Sequence, residues 1–326
     1  MSSAAKQRSD ARVMRLSPAV RRGGLPWIIL AVVYALCVLA SSDFLTWHTI
    51  RLQMIQAAFI GLVAIGETLA ILIGHIDLSI PWTITLSGIL GTNLYAAFPY
   101  QWVPFAVAIA IGISVGLVNM FGIFLLRVNS LIWTLSVNLM LQGITLVYTN
   151  AAAPTTLVPP ALKFLALGMV GGMPMAAILW GGCAVLVIGA LHLTPFGRAV
   201  YALGSNELVG LVSGVRLGRV YAAVFIVSGV MAALVGLLLS GYSSQAYLGM
   251  GNDYLLPPVA AVVIGGSRLS GGEGGYGGTI AGAMTVILLE AMLITLNVSQ
   301  GAREIIFGCI LLALAFLFLR RGHRVA

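Results

Sequence analysis

The stretch Arg268–Gly278, RLSGGEGGYGG, contains the five letters LSGGE. In cassette-type ATPases those letters form the loop that closes on a bound nucleotide. Such a loop acts only beside a Walker A loop, GxxxxGK[ST], whose lysine reaches the phosphates. The lysines here are Lys6 and Lys163, and neither follows a loop of that kind. Hydrolytic chemistry fares no better. Gly241–Gln245, GYSSQ, is not the GxSxG of a nucleophile elbow. His48, His75, His192 and His323 make no HExxH pair, so metal hydrolysis lacks a ligand set. Cys37, Cys183 and Cys309 each sit in an apolar run without a CxxC. The expectation is a chain with no catalytic residue, no metal and no cofactor.

A second group of residues is informative because of where it lies. Glu67 falls in GLVAIGETLAILIG and Glu290 in VILLEAMLITLN. Acids inside apolar runs are costly to insert in lipid, so they mark either a polar pathway or a hydrogen bond between helices. Asn119, Asn138, Gln142 and Gln245 pose the same choice. Asn138 and Gln142 share a helix face at i, i+4, which suits a pathway wall and helix glue equally. Asp77 stands between two apolar runs beside Gly74, Ser79 and Pro81. Its expected work is to cap the helix that follows and so shape the bend.

These residues must be positioned by a membrane bundle. Of the 326 residues, 60% are hydrophobic and only 8% charged, with a mean hydropathy of +1.04. A soluble surface needs about 25% charged residues, so hydrocarbon must face most of the exterior. The expected fold is all-α, a polytopic inner-membrane bundle of about ten transmembrane helices over 26–42, 52–74, 78–98, 102–126, 130–149, 174–193, 219–240, 253–268, 275–297 and 303–320. Residues 1–25 form a basic cytoplasmic tail, read as an uncleaved signal anchor, with cleavage near Ala40 as the minor option. Residues 26–326 form the transmembrane domain. With both termini cytoplasmic, only Arg51, Lys163 and Arg303 of the 17 Lys and Arg lie outside, as the positive-inside rule requires. The net charge of +8 is explained by that bias and not by nucleic acid, for which no basic reading face exists.

The longest cytoplasmic connection is 194–218, TPFGRAVYALGSNELVGLVSGVRLG. Its middle, 205–213, suits a short helix capped by Ser205 or Asn206 with Glu207 in its first turn. That helix could lie at the lipid interface or dock a soluble partner. Asp77-Leu-Ser-Ile-Pro81 and Asp253-Tyr-Leu-Leu-Pro257 both place an Asp four residues before a Pro at a helix start, on opposite sides of the membrane. This suggests an inverted repeat and a transport path. Asp77, Ser79, Asn138, Gln142, Asp253 and Pro257 are therefore candidates for the path or its helix bends. LSGGE becomes a cytoplasmic glycine turn between two spans, with Gly265, Gly266, Gly271 and Gly272 allowing tight turning.

Four stretches taken together resemble the permeases of ribose-type ABC sugar importers: GHIDLSI (74–80), NLMLQGITLVYTN (138–150), FGRAVYALGSNELVGLVSGV (196–215) and YLLPPVAAVVIGGSRLSGGEGGYGGTIAGA (254–283). His75 and Pro81 depart from the family pattern, which makes the first half the weaker match. The resemblance implies half of a transmembrane pathway, completed by a second permease, identical or distinct. It also implies a cytoplasmic ATPase with two nucleotide-binding cassettes, to which the true signature loop belongs, and a periplasmic sugar-binding protein. The segment 194–218 then matches the coupling segment, a role that falls on Gly197, Arg198, Gly204, Asn206, Glu207, Ser213 and Gly214. The rival from another class is an ion-coupled secondary transporter that uses Glu67 or Glu290. A structural membrane anchor is disfavoured by the interrupted spans.

Overall fold

The computed structural model describes residues 24–152, 158–212, 214, 216–299 and, beyond these, 301–303, 305, 306, 308 and 309. Among the described residues the chain is almost entirely helical. It runs α1 (Leu25–Ala40), α2 (Trp47–Leu72), α3 (Ile80–Ala97), α4 (Val103–Met120), α5 (Ser130–Thr149), α6 (Pro160–Leu167), α7 (Met175–Leu193), α8 (Pro195–Ser205), α9 (Glu207–Val212), α10 (Leu217–Ser243), α11 (Pro257–Ile264) and α12 (Tyr276–Thr295). Met169–Val170 and Met173–Pro174 pair as a two-residue antiparallel hairpin between α6 and α7. A π-turn, Phe121–Leu125, prolongs α4.

Local sequence sets these boundaries. Proline near the first turn starts α3, α4, α8 and α11, where a missing N–H and a fixed φ cost nothing. The Asn129 side chain accepts from Leu131 N–H at 2.9 Å to open α5, and Asn150 closes that helix at φ +51°. Among the described residues six helices are long and apolar enough to cross a membrane: α2, α4 with its π-turn, α5, α7, α10 and α12. α3 has 18 residues but carries Thr83, Thr85, Ser87 and Thr92, all buried. Thr83, Thr85 and Thr92 each donate a hydroxyl to the carbonyl four residues earlier.

The expected span 253–268 differs most from expectation. Its helix is α11, 8 residues, or about 12 Å at 1.5 Å per residue, well under half the ~30 Å hydrocarbon core. Pro257 and Pro258 begin it, and Gly265 and Gly266 end it. Ahead of α11 the chain runs through a 3-10 turn, Asn252–Tyr254, that is largely exposed, while Met250 and Gly251 before it are buried and Gly251 N–H donates to Thr85 Oγ1 at 3.1 Å. The expected span 303–320 lies mostly outside the described residues, as does the basic tail through residue 23.

α2 is the axis of the bundle, buried from Ala57 to Leu72 and enclosed by α7, α10, α11 and α12. α4 crosses α10 so closely that a Cβ on Gly112 would sit 2.5 Å from the Val230 backbone. Helices that share an apolar solvent with their surroundings associate through such small-residue contacts.

Candidate functional site

Two polar constellations stand out in this apolar bundle. The first is buried and centres on the connection 73–79 between α2 and α3. Asp77 is 2% exposed. Its Oδ1 accepts from Ser79 N–H at 3.0 Å, from the Ser79 hydroxyl at 2.6 Å and from Asn119 Nδ2 at 3.2 Å. Its Oδ2 accepts from the Ser228 hydroxyl at 2.7 Å. One carboxylate therefore joins the connection to α4 and α10. The same Asn119 Nδ2 lies 2.8 Å from Ser79 Oγ.

A non-helical backbone at membrane depth must find other partners, and α5 supplies them. Ser130 Oγ accepts from Ile76 N–H at 3.4 Å, Thr134 Oγ1 from Leu78 N–H at 2.9 Å, and Asn138 Oδ1 from Trp82 N–H at 3.1 Å. Three polar side chains at i, i+4 and i+8 thus serve the backbone that α3 leaves unsatisfied. Asn138 acts here as glue. Gln142, one turn on, is half-buried. Asp253 is exposed and Pro257 half-buried, so the two Asp-to-Pro segments differ in burial: Asp77 is enclosed and Asp253 is not. Glu67 is fully buried beside this hub, whereas Glu290 is half-buried with an Arg303 nitrogen 3.7 Å away.

The second constellation lies where α2 ends. Gly272 N–H donates to Leu72 O at 2.9 Å. Gly204, near the end of α8, packs against that junction so closely that a Cβ would overlap the Leu72 carbonyl oxygen. Gly271 and Gly272 adopt φ of +85° and +75°, a region that side chains rarely enter. Gly265 packs its backbone against Gly278 and Thr279 at the start of α12, and Gly266 turns the chain at φ +88°. The glycine turn, α8 and the end of α2 thus form one backbone-to-backbone knot. Tyr201 fastens it with a hydrogen bond to Gly274 O at 3.0 Å.

α9 follows at once, and its short helix falls inside the expected 205–213. Asn206 Oδ1 accepts from Leu208 N–H at 2.8 Å. Glu207 reaches across to Arg127, which stands at φ +56° between α4 and α5. That hydrogen bond and its charge raise the Arg127 guanidinium above its ordinary value. His75, Arg127, Asn129, Glu207 and Tyr221 line a cavity of about 460 Å³ there. Gly197 is buried at the start of α8, against the Leu191 carbonyl, and Arg198 is exposed. Gly214 has φ +74° in open space, and Ser213 lies outside the described residues.

Several of these partnerships have only faint signals in the sequence. The i, i+4, i+8 spacing of Ser130, Thr134 and Asn138 was the available clue to the ladder on α5. Ser228, Tyr221 and Arg127 offer nothing local, because their partners lie 151, 146 and 80 residues away.

The sequence profile of the family described as "Branched-chain amino acid transport system / permease component" matches residues 50–315. The chain belongs to that family. The permease is 31% identical over 288 residues to the ribose import permease protein of Escherichia coli (strain K12), covering 87% of this chain and 90% of that one. It is 32% identical over 297 residues to the ribose import permease protein of Bacillus subtilis (strain 168), covering 90% and 91%. With the L-arabinose transport system permease protein of Escherichia coli (strain K12) the identity is 28% over 288 residues, covering 88% and 87%. No solved structure matches the chain. Family and apolar helices together make the permease a multi-pass membrane protein.

His75 Nε2 lies 3.0 Å from Tyr221 Oη, so the connection 73–79 is tied to α10 through this side chain as well.

Proposed function

We propose that the permease is the membrane subunit of an ATP-driven importer that moves a monosaccharide or a related polyol or furanose across the bacterial inner membrane. The observation that carries this is about 30% identity to sugar import permeases over roughly nine-tenths of both chains. In this scheme residues 26–326 form the transmembrane domain and 194–218 the segment that receives force from a separate ATPase with two cassettes. A second permease subunit, identical or distinct, completes the pathway, a periplasmic binding protein delivers the sugar, and lipid surrounds the pair. Access alternates as the two permeases tilt, and specificity rests mainly with the binding protein.

Both termini are placed in the cytoplasm, a choice supported by the Lys and Arg distribution. The Leu72 end of the bundle is then cytoplasmic. About ten crossings follow if α11 and the irregular segment ahead of it together make one crossing, antiparallel to the 73–79 connection with α3. Two such interrupted crossings support an inverted repeat. Asp77, Ser79, Asn138, Asp253 and Pro257 then act by holding the bends, and Gln142 is left as the path candidate on α5. An ion-coupled carrier that uses Glu290 finds less support, because that acid sits beside Arg303.

Force reaching α9 passes to the α4–α5 connection through Glu207 and Arg127. An exposed ion pair contributes little to stability, so reversing its charges tests transmission and not folding. Arg127→Glu and Glu207→Arg are each expected to cut ATP-driven sugar uptake in proteoliposomes, with wild-type amounts of protein incorporated. The double reversal should recover most of it. If both single variants transport normally, this route is wrong; reconstitution with the partner ATPase and binding protein tests the function as a whole.

A further inference from the structure

Two carboxylates lie within the hub around the connection 73–79, and their surroundings are opposite. Asp77 accepts four hydrogen bonds, from Ser79 N–H and hydroxyl, Asn119 Nδ2 and the Ser228 hydroxyl. Those donors suit an ionised carboxylate. Glu67 on α2 is 0% exposed, and neither of its carboxyl oxygens has a hydrogen-bond partner among the described residues. Asn119 Oδ1, on the amide that serves Asp77, is likewise buried and unpartnered. The hub therefore holds three orphan acceptor oxygens, and the one donor turned toward Glu67 is the Asp77 backbone N–H, too little to sustain a second buried charge beside Asp77.

A bare carboxylate buried in this way is untenable, and in practice such a group neutralises. The charged residue acting on Glu67 among the described residues is Asp77; no Lys, Arg or His from α4, α7, α10, α11 or α12 does so. When two acids share a site and one is supplied with donors, the negative charge settles there and the other acid takes the proton. We infer that Glu67 is a proton-binding site in the resting permease, holding one proton as a neutral carboxylic acid while Asp77 carries the charge of the pair. Its charged neighbour is Asp77, so the proton sits at the seam between α2 and the connection 73–79. Any state that admits water to that seam would release it. This inference does not rest on the sugar-import reading.

The test is infrared spectroscopy of the intact purified permease in detergent at neutral pH. A protonated carboxylic acid has a carbonyl stretch that an ionised carboxylate lacks. The wild type is expected to show this band, and Glu67→Gln, a neutral isostere, to lose it. If Glu67→Gln does not accumulate, Glu290→Gln permease labelled with carbon-13 glutamate removes the other glutamate of the apolar helices. A band that shifts with the label is then expected, since Asp77 is not labelled. Absence of a protonated-acid band from the wild type overturns the inference, and so does a band that survives Glu67→Gln or ignores the label. A carboxylate-only spectrum, with melting temperature raised by sodium or potassium over a bulky organic cation, would put a metal cation at Glu67 instead.

Discussion

Asp77→Leu is expected to leave almost no folded permease in the membrane. The substitution keeps the volume apolar and removes one acceptor that four donors share. The two serine hydroxyls can rotate toward helix carbonyls. Ser79 N–H and Asn119 Nδ2 cannot turn away so easily. Each buried donor left unsatisfied costs ~1–3 kcal/mol, against a total margin of ~5–15 kcal/mol. The loss also frees the connection 73–79 from α4, so the ladder on α5 and the His75–Tyr221 contact with α10 would be left to hold it. Asp77→Asn should be milder, because one amide oxygen still accepts, while its NH₂ faces donors. The check is the yield of monodisperse protein by fluorescence-detected size exclusion, followed by melting of whatever is recovered. Wild-type yield and melting for Asp77→Leu would mean that the hub does not organise the fold.

Gly204→Leu is the second large effect, and it should strike transport and not insertion. A Cβ at this position overlaps the Leu72 carbonyl oxygen, which already accepts from Gly272 N–H. The obstacle is backbone on both sides, so no flexible side chain can yield. α8 must lift from the end of α2, and the knot that joins it to the glycine turn opens. The long apolar helices need nothing from Gly204, so the protein should still reach the membrane. Uptake should fall about tenfold or more, since the ~1–3 kcal/mol typical of overpacking spans that factor. The measurement is ATP-driven uptake per incorporated permease, beside the ATPase activity of the assembled complex. Unchanged uptake would show that α8 need not seat on α2 for coupling.

These two residues mark what the sequence makes legible and what it hides. Long apolar runs made most of the spanning helices readable, because hydrocarbon imposes length and composition together. The run at 253–268 read as one continuous helix because counting apolar residues does not register where a helix starts and stops. Pro257, Pro258, Gly265 and Gly266 mark those limits, since they bound α11 to 8 residues. Asn138 could not be assigned from its face alone; its partner is the Trp82 N–H, 56 residues away. Glu207 was legible as a first-turn acid of a short helix, but its ion pair with Arg127 depends on how α9 packs against the α4–α5 connection. Glycines were visible as turn formers, yet which of them brought backbones together required the fold.

The most direct test of the account uses α9. Leu208 and Leu211 are 69% and 52% exposed on this short helix, an apolar face next to the Glu207–Arg127 pair. A permease with Leu208→Cys, and with Cys37, Cys183 and Cys309 replaced by alanine, would be affinity-purified in complex with the nucleotide-hydrolysing subunit that accompanies it. It would then be treated with a short heterobifunctional reagent that joins the thiol to a nearby lysine amine. A cross-link from position 208 to that ATPase, identified by mass spectrometry, is the predicted result. Reaction of the same cysteine with an impermeant thiol reagent from the periplasmic face of intact cells, without any cross-link to the ATPase, would contradict it.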